Sequence, residues 1–138
     1  MWFLGSRHHR ATWLAAVAFL CTLSGAVSFA RPGVEDYEFR IDQTKVKAGE
    51  AILSVRLIHK PDGRLVPDAV IYATRLDMAP DGMEKMKAAI VPAPSSEPGV
   101  YRFKANLSME GRWRLSLAAK VQGENGSVEG RLIFKATP

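Results

Sequence analysis

Apolar and polar side chains alternate along most of the chain after residue 36. Tyr37, Phe39 and Ile41 alternate with charged residues, and residues 112–120 repeat the pattern most regularly. A period of two is typical of a strand with one buried face and one solvated face. The pattern therefore predicts antiparallel sheets that share one core.

Turn signals divide the alternating runs at regular intervals. The segments 60–64 and 123–126 carry the glycines of hairpin turns, and residues 92–99 form a long turn with three prolines. The predicted strands are residues 37–42, 51–58, 66–76, 86–91, 100–107, 112–121 and 128–134. About seven short strands without a helical stretch predict an all-β fold, an Ig-like antiparallel β-sandwich.

Residues 1–30 have a different composition. Two arginines and two histidines within residues 7–10 precede an uncharged stretch, residues 11–30, which ends in small residues. Ser28-Phe29-Ala30 and Ser24-Gly25-Ala26 both fit a small-x-small cleavage site, so the segment reads as a secretory signal helix. The alternative is an uncleaved anchor helix, because about 20 apolar residues suffice to cross a bilayer. Residues 31–138 then form the domain.

Either alternative places the domain outside the cytoplasm, which in a bacterium is the periplasm. The domain is free there, or it is anchored in the inner membrane and touches lipid only through residues 11–30. The single cysteine, Cys21, lies in the apolar stretch, so the domain has no disulfide. Its cations are scattered along the strands and form no clustered stripe, which argues against a nucleic-acid partner.

Methionines are concentrated in one predicted turn. Met78, Met83 and Met86 fall within nine positions, and Met109 precedes another turn. Thioethers are soft ligands that suit Cu(I), which makes these four methionines candidate copper ligands. The alternative is that they fill one end of the core, since methionine adapts to irregular gaps. His59, the only histidine of the domain, is either a further ligand or a solvated loop residue.

Other motifs bear on local structure and on chemistry. Residues 81–84 resemble a capping box that starts one helical turn, which would place Met83 and Met86 on one face. Trp113 is predicted in the core, and Tyr101 at a corner where its hydroxyl ties a turn to the backbone. The acidic residues near the methionines lack the spacing of a calcium loop. With one histidine in the domain and no Gly-x-Ser-x-Gly, no catalytic triad is recognisable, so we expect no enzyme.

The order of several motifs resembles a known family. PDGRLVPDAV at 61–70 is followed by the methionine segment, PGVYRF at 98–103 and MEGRWRL at 109–115. This order resembles the YtkA-like domain of FixH-type exported bacterial proteins, over Tyr37 to Ala136. The resemblance implies an Ig-like sandwich associated with copper efflux or with cytochrome oxidase maturation. It also implies that the four methionines are candidate ligands and that the partners are efflux or oxidase-assembly proteins of the inner membrane.

Two functions remain open from the sequence. The first is a periplasmic accessory protein that handles metal by binding Cu(I) through the methionines. The second is a structural or interaction module without metal, an accessory subunit of a membrane transporter or assembly complex that uses an exposed sheet edge.

Overall fold

A computed structural model describes residues 33–138, and the predicted signal or anchor segment, residues 1–30, lies outside those residues. Within them, no helix is long and apolar enough to cross a membrane. Two single 3₁₀ turns, Val34–Asp36 and Ala79–Asp81, accompany the strands. The strands are β1 (Tyr37–Ile41), β2 (Lys45–Lys47), β3 (Gly49–His59), β4 (Arg64–Leu65), β5 (Val70–Met78), β6 (Met83–Ala88), β7 (Ile90–Ala93), β8 (Val100–Leu107), β9 (Gly111–Lys120) and β10 (Val128–Thr137).

The strands form two sheets that pack as a β-sandwich. Sheet A has the order β1-β3-β8-β7, with the short β4 beside β3, and sheet B has the order β2-β10-β9-β5-β6. Neighbouring strands are antiparallel except β2, which pairs with β10 in parallel. The predicted all-β sandwich is confirmed, with this one parallel pair as an addition.

The core lies between the sheets and follows the alternation of the sequence. Along β9, the odd-numbered residues from Trp113 to Ala119 are buried, whereas the even-numbered ones face outward. Trp113 is fully buried, as predicted, and its Nε1 donates a hydrogen bond to the carbonyl oxygen of Met109 at 3.1 Å. This bond satisfies the one polar group of a side chain that otherwise lies among apolar neighbours.

Tyr101 forms the predicted corner. Its hydroxyl donates to the carbonyl oxygen of Val66 at 2.7 Å and accepts from the amide of Ala69 at 3.0 Å. These two bonds occupy backbone groups of residues 66–69, which lie outside any strand, so β5 begins at Val70 and not at residue 66 as the pattern predicted. Burial raises the pKa of the Tyr101 hydroxyl.

The remaining differences from the sequence-based predictions lie in β5 to β7. A bulge between Ile71 and Ala73 changes the phase of β5, so Tyr72 is exposed and Thr74 lies opposite the buried Leu117. β5 also continues through Met78, and the one helical turn of this region is Ala79–Asp81. The helical turn predicted from residue 81 onward is wrong, because residues 83–88 form β6.

The predicted strand at 86–91 is in fact two strands that belong to different sheets. β6 ends at Ala88 in sheet B, and β7 begins at Ile90 in sheet A. Only Ala89 separates them, and its carbonyl oxygen already accepts a bond from Asn106 of β8. The chain therefore passes from one sheet to the other along one side of the sandwich.

Candidate functional site

The methionine segment lies at one end of the sandwich, where β5 leads through the 3₁₀ turn into β6. Met78 lies opposite Met83 in the pairing of β5 with β6. The side chain of Met78 is fully buried in the core, and Met83 is half-buried and packs against the same core. These two methionines therefore fill one end of the core. The sequence had offered this packing role as the alternative to a role as copper ligands.

Two of the four candidate thioethers share an open depression. Met83 and Met86 line a depression of about 570 Å³ beside β6, and Met86 is 38% exposed. The other lining residues are Ala79, Gly82, Glu84 and Lys85. Neither Met78 nor Met109 belongs to the lining. The depression thus offers two soft ligands with one carboxylate and one ammonium group beside them.

Met109 lies at the same end of the molecule, in the turn between β8 and β9. Its side chain is 38% exposed, and its carbonyl oxygen accepts the Trp113 bond described above. Gly111, two residues further on, has a φ of +133°, and a Cβ built on it would lie 2.6 Å from the terminal methyl carbon of Met78. The buried methionine and this turn are therefore in close contact, which only glycine permits.

An ion pair fastens the 3₁₀ turn to the start of β9. Asp81 accepts a bond from the backbone amide of Arg112 at 2.7 Å and one from its Nε at 2.8 Å, and Arg112 also donates to the carbonyl oxygen of Pro80. The backbone amide and then the guanidinium of Arg112 hold the pKa of Asp81 below its ordinary value. The 3₁₀ turn before Met83 is consequently held in two ways: it continues directly from β5, and its Asp81 and Pro80 bond to Arg112 of β9.

Asp77 is the one buried charged residue among residues 33–138. It is 0% exposed, although its place in the pairing puts it on the outer face of sheet B, opposite Arg114. Its carboxylate accepts bonds from Arg75 Nε at 2.8 Å, Arg114 at 3.2 Å and the Ala79 amide at 3.0 Å. Burial opposes its ionisation most strongly, but these three donors together outweigh burial and lower the pKa.

His59 lies far from the methionines, at the opposite end of β3. In sheet A, Gly49 at the start of β3 pairs with Leu107, next to the Met109 turn, whereas His59 is the last residue of the same strand. Eleven strand residues span roughly 33 Å. His59 Nδ1 lies 3.0 Å from Asp62 Oδ1, and its ring lies against that of Tyr37 at 5.1 Å. The histidine therefore belongs to the β3–β4 turn and not to the methionine segment.

The sequence analysis missed the cluster of Asp77, Arg75 and Arg114. Its signal was present in part, because alternation places Arg114 outward on its strand and Arg75 two residues before Asp77. What brings them together is the register of β5 on β9, which alternation does not specify. Within residues 33–138, no three His, Cys, Asp or Glu side chains are grouped so that they would hold a metal ion.

The fold is an Ig-like β-sandwich, and the family follows from a comparison of sequences. The family model described as YtkA-like matches residues 31–118. The chain therefore belongs to the YtkA-like family, which confirms the resemblance drawn from the order of its motifs.

Solved structures of similar shape share little sequence with the chain. The ZirS C-terminal domain is 14% identical, with a TM-score of 0.46 over 98% of this chain and 88% of that one. The Lin-41 filamin domain is 18% identical, with a TM-score of 0.43 over 74% and 98%. A conjugative transposon lipoprotein from Bacteroides eggerthii DSM 20697 is 11% identical, with a TM-score of 0.33 over 75% and 98%. No curated protein matches the chain.

Proposed function

We propose that this protein is an exported, non-enzymatic accessory protein that handles Cu(I), and that Met83 and Met86 are its ligands. One observation carries the proposal: Met83 and Met86 both line the same open depression beside β6. Membership of the YtkA-like family supports it, because the resemblance implies a role beside copper efflux or oxidase maturation.

The chemistry of the depression suits a soft cation outside the cytoplasm. Thioethers bind Cu(I) well and hard cations poorly, and unlike thiols they do not form disulfides in an oxidising compartment. Two thioethers fill only part of the coordination shell of the ion, which leaves positions open to a partner's ligands. Such a site suits transfer to an efflux or oxidase-assembly protein of the inner membrane.

The proposal uses fewer ligands than the sequence suggested. Met78 is fully buried and has a packing role, and His59 lies at the other end of the domain. Met109 lies near the methionine segment but outside the lining of the depression. Met83 and Met86 are therefore the pair on which a test should act.

The test is competition for Cu(I) between the purified full chain and a chromophoric chelator under reducing conditions. The natural sequence is expected to withdraw Cu(I) from the chelator, and the double variant Met83→Leu/Met86→Leu is expected to lose this ability. Leucine has nearly the same volume as methionine, so the fold should persist. Met109→Leu is the matched control, because it removes an equally exposed thioether from outside the depression. Equal competition by the natural chain and the double variant would contradict the proposal.

A structural or interaction module without metal is the second candidate. The full burial of Met78 and the packing of Met83 against the core favour it, because both methionines already have a role in folding. The copper tolerance of cells that carry the Met83→Leu/Met86→Leu variant distinguishes between the two functions. Copper tolerance falls if the pair binds the ion, and it stays unchanged while the protein accumulates normally if the pair only packs.

A further inference from the structure

The outer face of sheet B contains a second open depression, which shares Glu84 with the depression beside β6. It measures about 400 Å³, and we name it the arginine trough after Arg75, Arg114 and Arg131, which line it. Glu84 and Glu129 also line it. The remaining lining residues are mostly small: Ala73, Thr74, Ser116, Leu117, Ala118 and Gly130.

The register of three strands creates the trough. Arg131 of β10 lies opposite Ser116 of β9, which in turn lies opposite Arg75 of β5. Neighbouring strands are about 4.8 Å apart, so the Cα atoms of the two arginines are separated by roughly 10 Å. Ser116 and its neighbour Ala118 have short side chains, which leaves the space between the arginines open.

Buried Asp77 holds two of the three guanidinium groups in place. Arg75 and Arg114 both donate to its carboxylate, so one negative charge meets two positive charges. Arg114 is only 26% exposed, and its Nε is buried without a hydrogen-bond partner in the described part of the chain. Arg131 forms no ion pair with any residue from 33 to 138. The trough therefore combines fixed guanidinium groups with one that is free to bind.

We propose that the arginine trough binds a single oxyanion, the carboxylate or phosphoryl group of a small molecule or headgroup. Arginine binds both groups through paired N–H donors, and an arginine held by a buried carboxylate loses little freedom on binding. Glu84 and Glu129 offer acceptors to donor groups that a ligand carries beside the oxyanion. The proposal does not depend on Cu(I) binding.

The test is an NMR titration of the purified full chain at low salt with two probes, inorganic phosphate and acetate. The backbone amide signals of Ser116 and Arg131 are expected to shift in a saturable manner. Arg131→Gln should weaken binding roughly tenfold, since it removes a charged hydrogen-bond donor. Arg56→Gln, an exposed arginine of sheet A, is the matched control and should leave binding unchanged.

A second variant guards against an ambiguous result. Ser116→Leu fills the floor of the trough between Arg75 and Arg131 while keeping Asp77 and all three arginines, and it should abolish binding of both probes while the protein remains folded. Binding of phosphate alone assigns a phosphoryl ligand, and binding of acetate alone assigns a carboxylate. An absence of saturable shifts with both probes overturns the proposal, as does equal affinity in the natural chain and in both variants.

Discussion

The outer faces of the two sheets use their charges differently. On sheet A and its adjoining turns, four ion pairs each join two exposed side chains: Arg40–Glu38, Arg56–Asp42, Arg102–Glu97 and Lys104–Glu50. On sheet B, two arginines converge on Asp77, which is completely buried. The first arrangement is a solvated surface, whereas the second is a polar cluster with a defined geometry.

We therefore expect the ion pairs of the two faces to contribute differently to the free energy of unfolding. Exposed ion pairs contribute about 0–1 kcal/mol each, because water and salt screen them. Removing one partner of a buried ion pair leaves the other charge buried and unpaired. This lowers the free energy of unfolding several times more. We expect sheet A to tolerate substitution of its charges, and sheet B to depend on Asp77 for both stability and the position of the arginine trough.

The largest expected effect comes from Asp77→Asn. The amide keeps the size of the side chain but removes the negative charge that binds Arg75 and Arg114, so the free energy of unfolding should fall by about 3 kcal/mol. Urea denaturation measures it. Asp42→Asn, which breaks an exposed pair of sheet A, is the control and should cost less than about 1 kcal/mol. Equal losses in the two variants would remove the distinction between the faces.

A smaller loss is expected from Gly111→Ala, at the start of β9. A Cβ there would lie 2.6 Å from both Asp81 Oδ2 and the Met78 methyl carbon, in a backbone conformation with φ of +133°. We expect a loss of about 2 kcal/mol, measured by thermal or urea unfolding. Gly49→Ala is the control for the backbone alone, because Gly49 also has a positive φ but nothing within 4 Å of its Cβ position. If the two variants lose equal stability, the contact with Met78 and Asp81 is unimportant.

The smallest expected effect is a dependence of stability on acid pH. The pKa of Asp77 is lower in the folded chain than its ordinary value of 3.8. Its contribution is therefore present above about pH 4 and is lost as the pH falls through the folded-state pKa. The unfolding free energy of the natural chain should decline over this window, and Asp77→Asn should flatten the decline. An unchanged slope in that variant would show that other carboxylates, such as Asp81, carry the acid sensitivity.

Most of the fold follows from local patterns, because burial on alternate residues is a property of one strand at a time. The alternation around Trp113 and the turn signals gave the right strands for β1, β3, β8, β9 and β10. The corner at Tyr101 was also predicted correctly, although its hydroxyl bonds to Val66 and Ala69, which lie far away in the sequence. The bulge in β5 and the passage from sheet to sheet at Ala89 were not predicted, because both depend on which strand pairs with which.

The candidate site was only partly predictable for the same reason. The sequence of a turn-rich segment does not show whether a methionine is buried or exposed. Met78 is buried in the core, whereas Met86 is exposed beside a depression. Predicting the arginine trough requires the register of three strands. The sequence around Ser116 does not indicate that this residue lies between two arginines. Alternation predicted that Arg114 faces outward, but it gave no indication of the buried carboxylate beside it.

The single residue between β6 and β7 mechanically couples two edges of the molecule. Met83 and Met86 lie on β6, and β7 is the last strand of sheet A on the same side. Because only Ala89 connects them, β6 cannot shift far without pulling on the start of β7. A displacement of β6 would therefore reach the rim of the opposite layer through this one-residue connection.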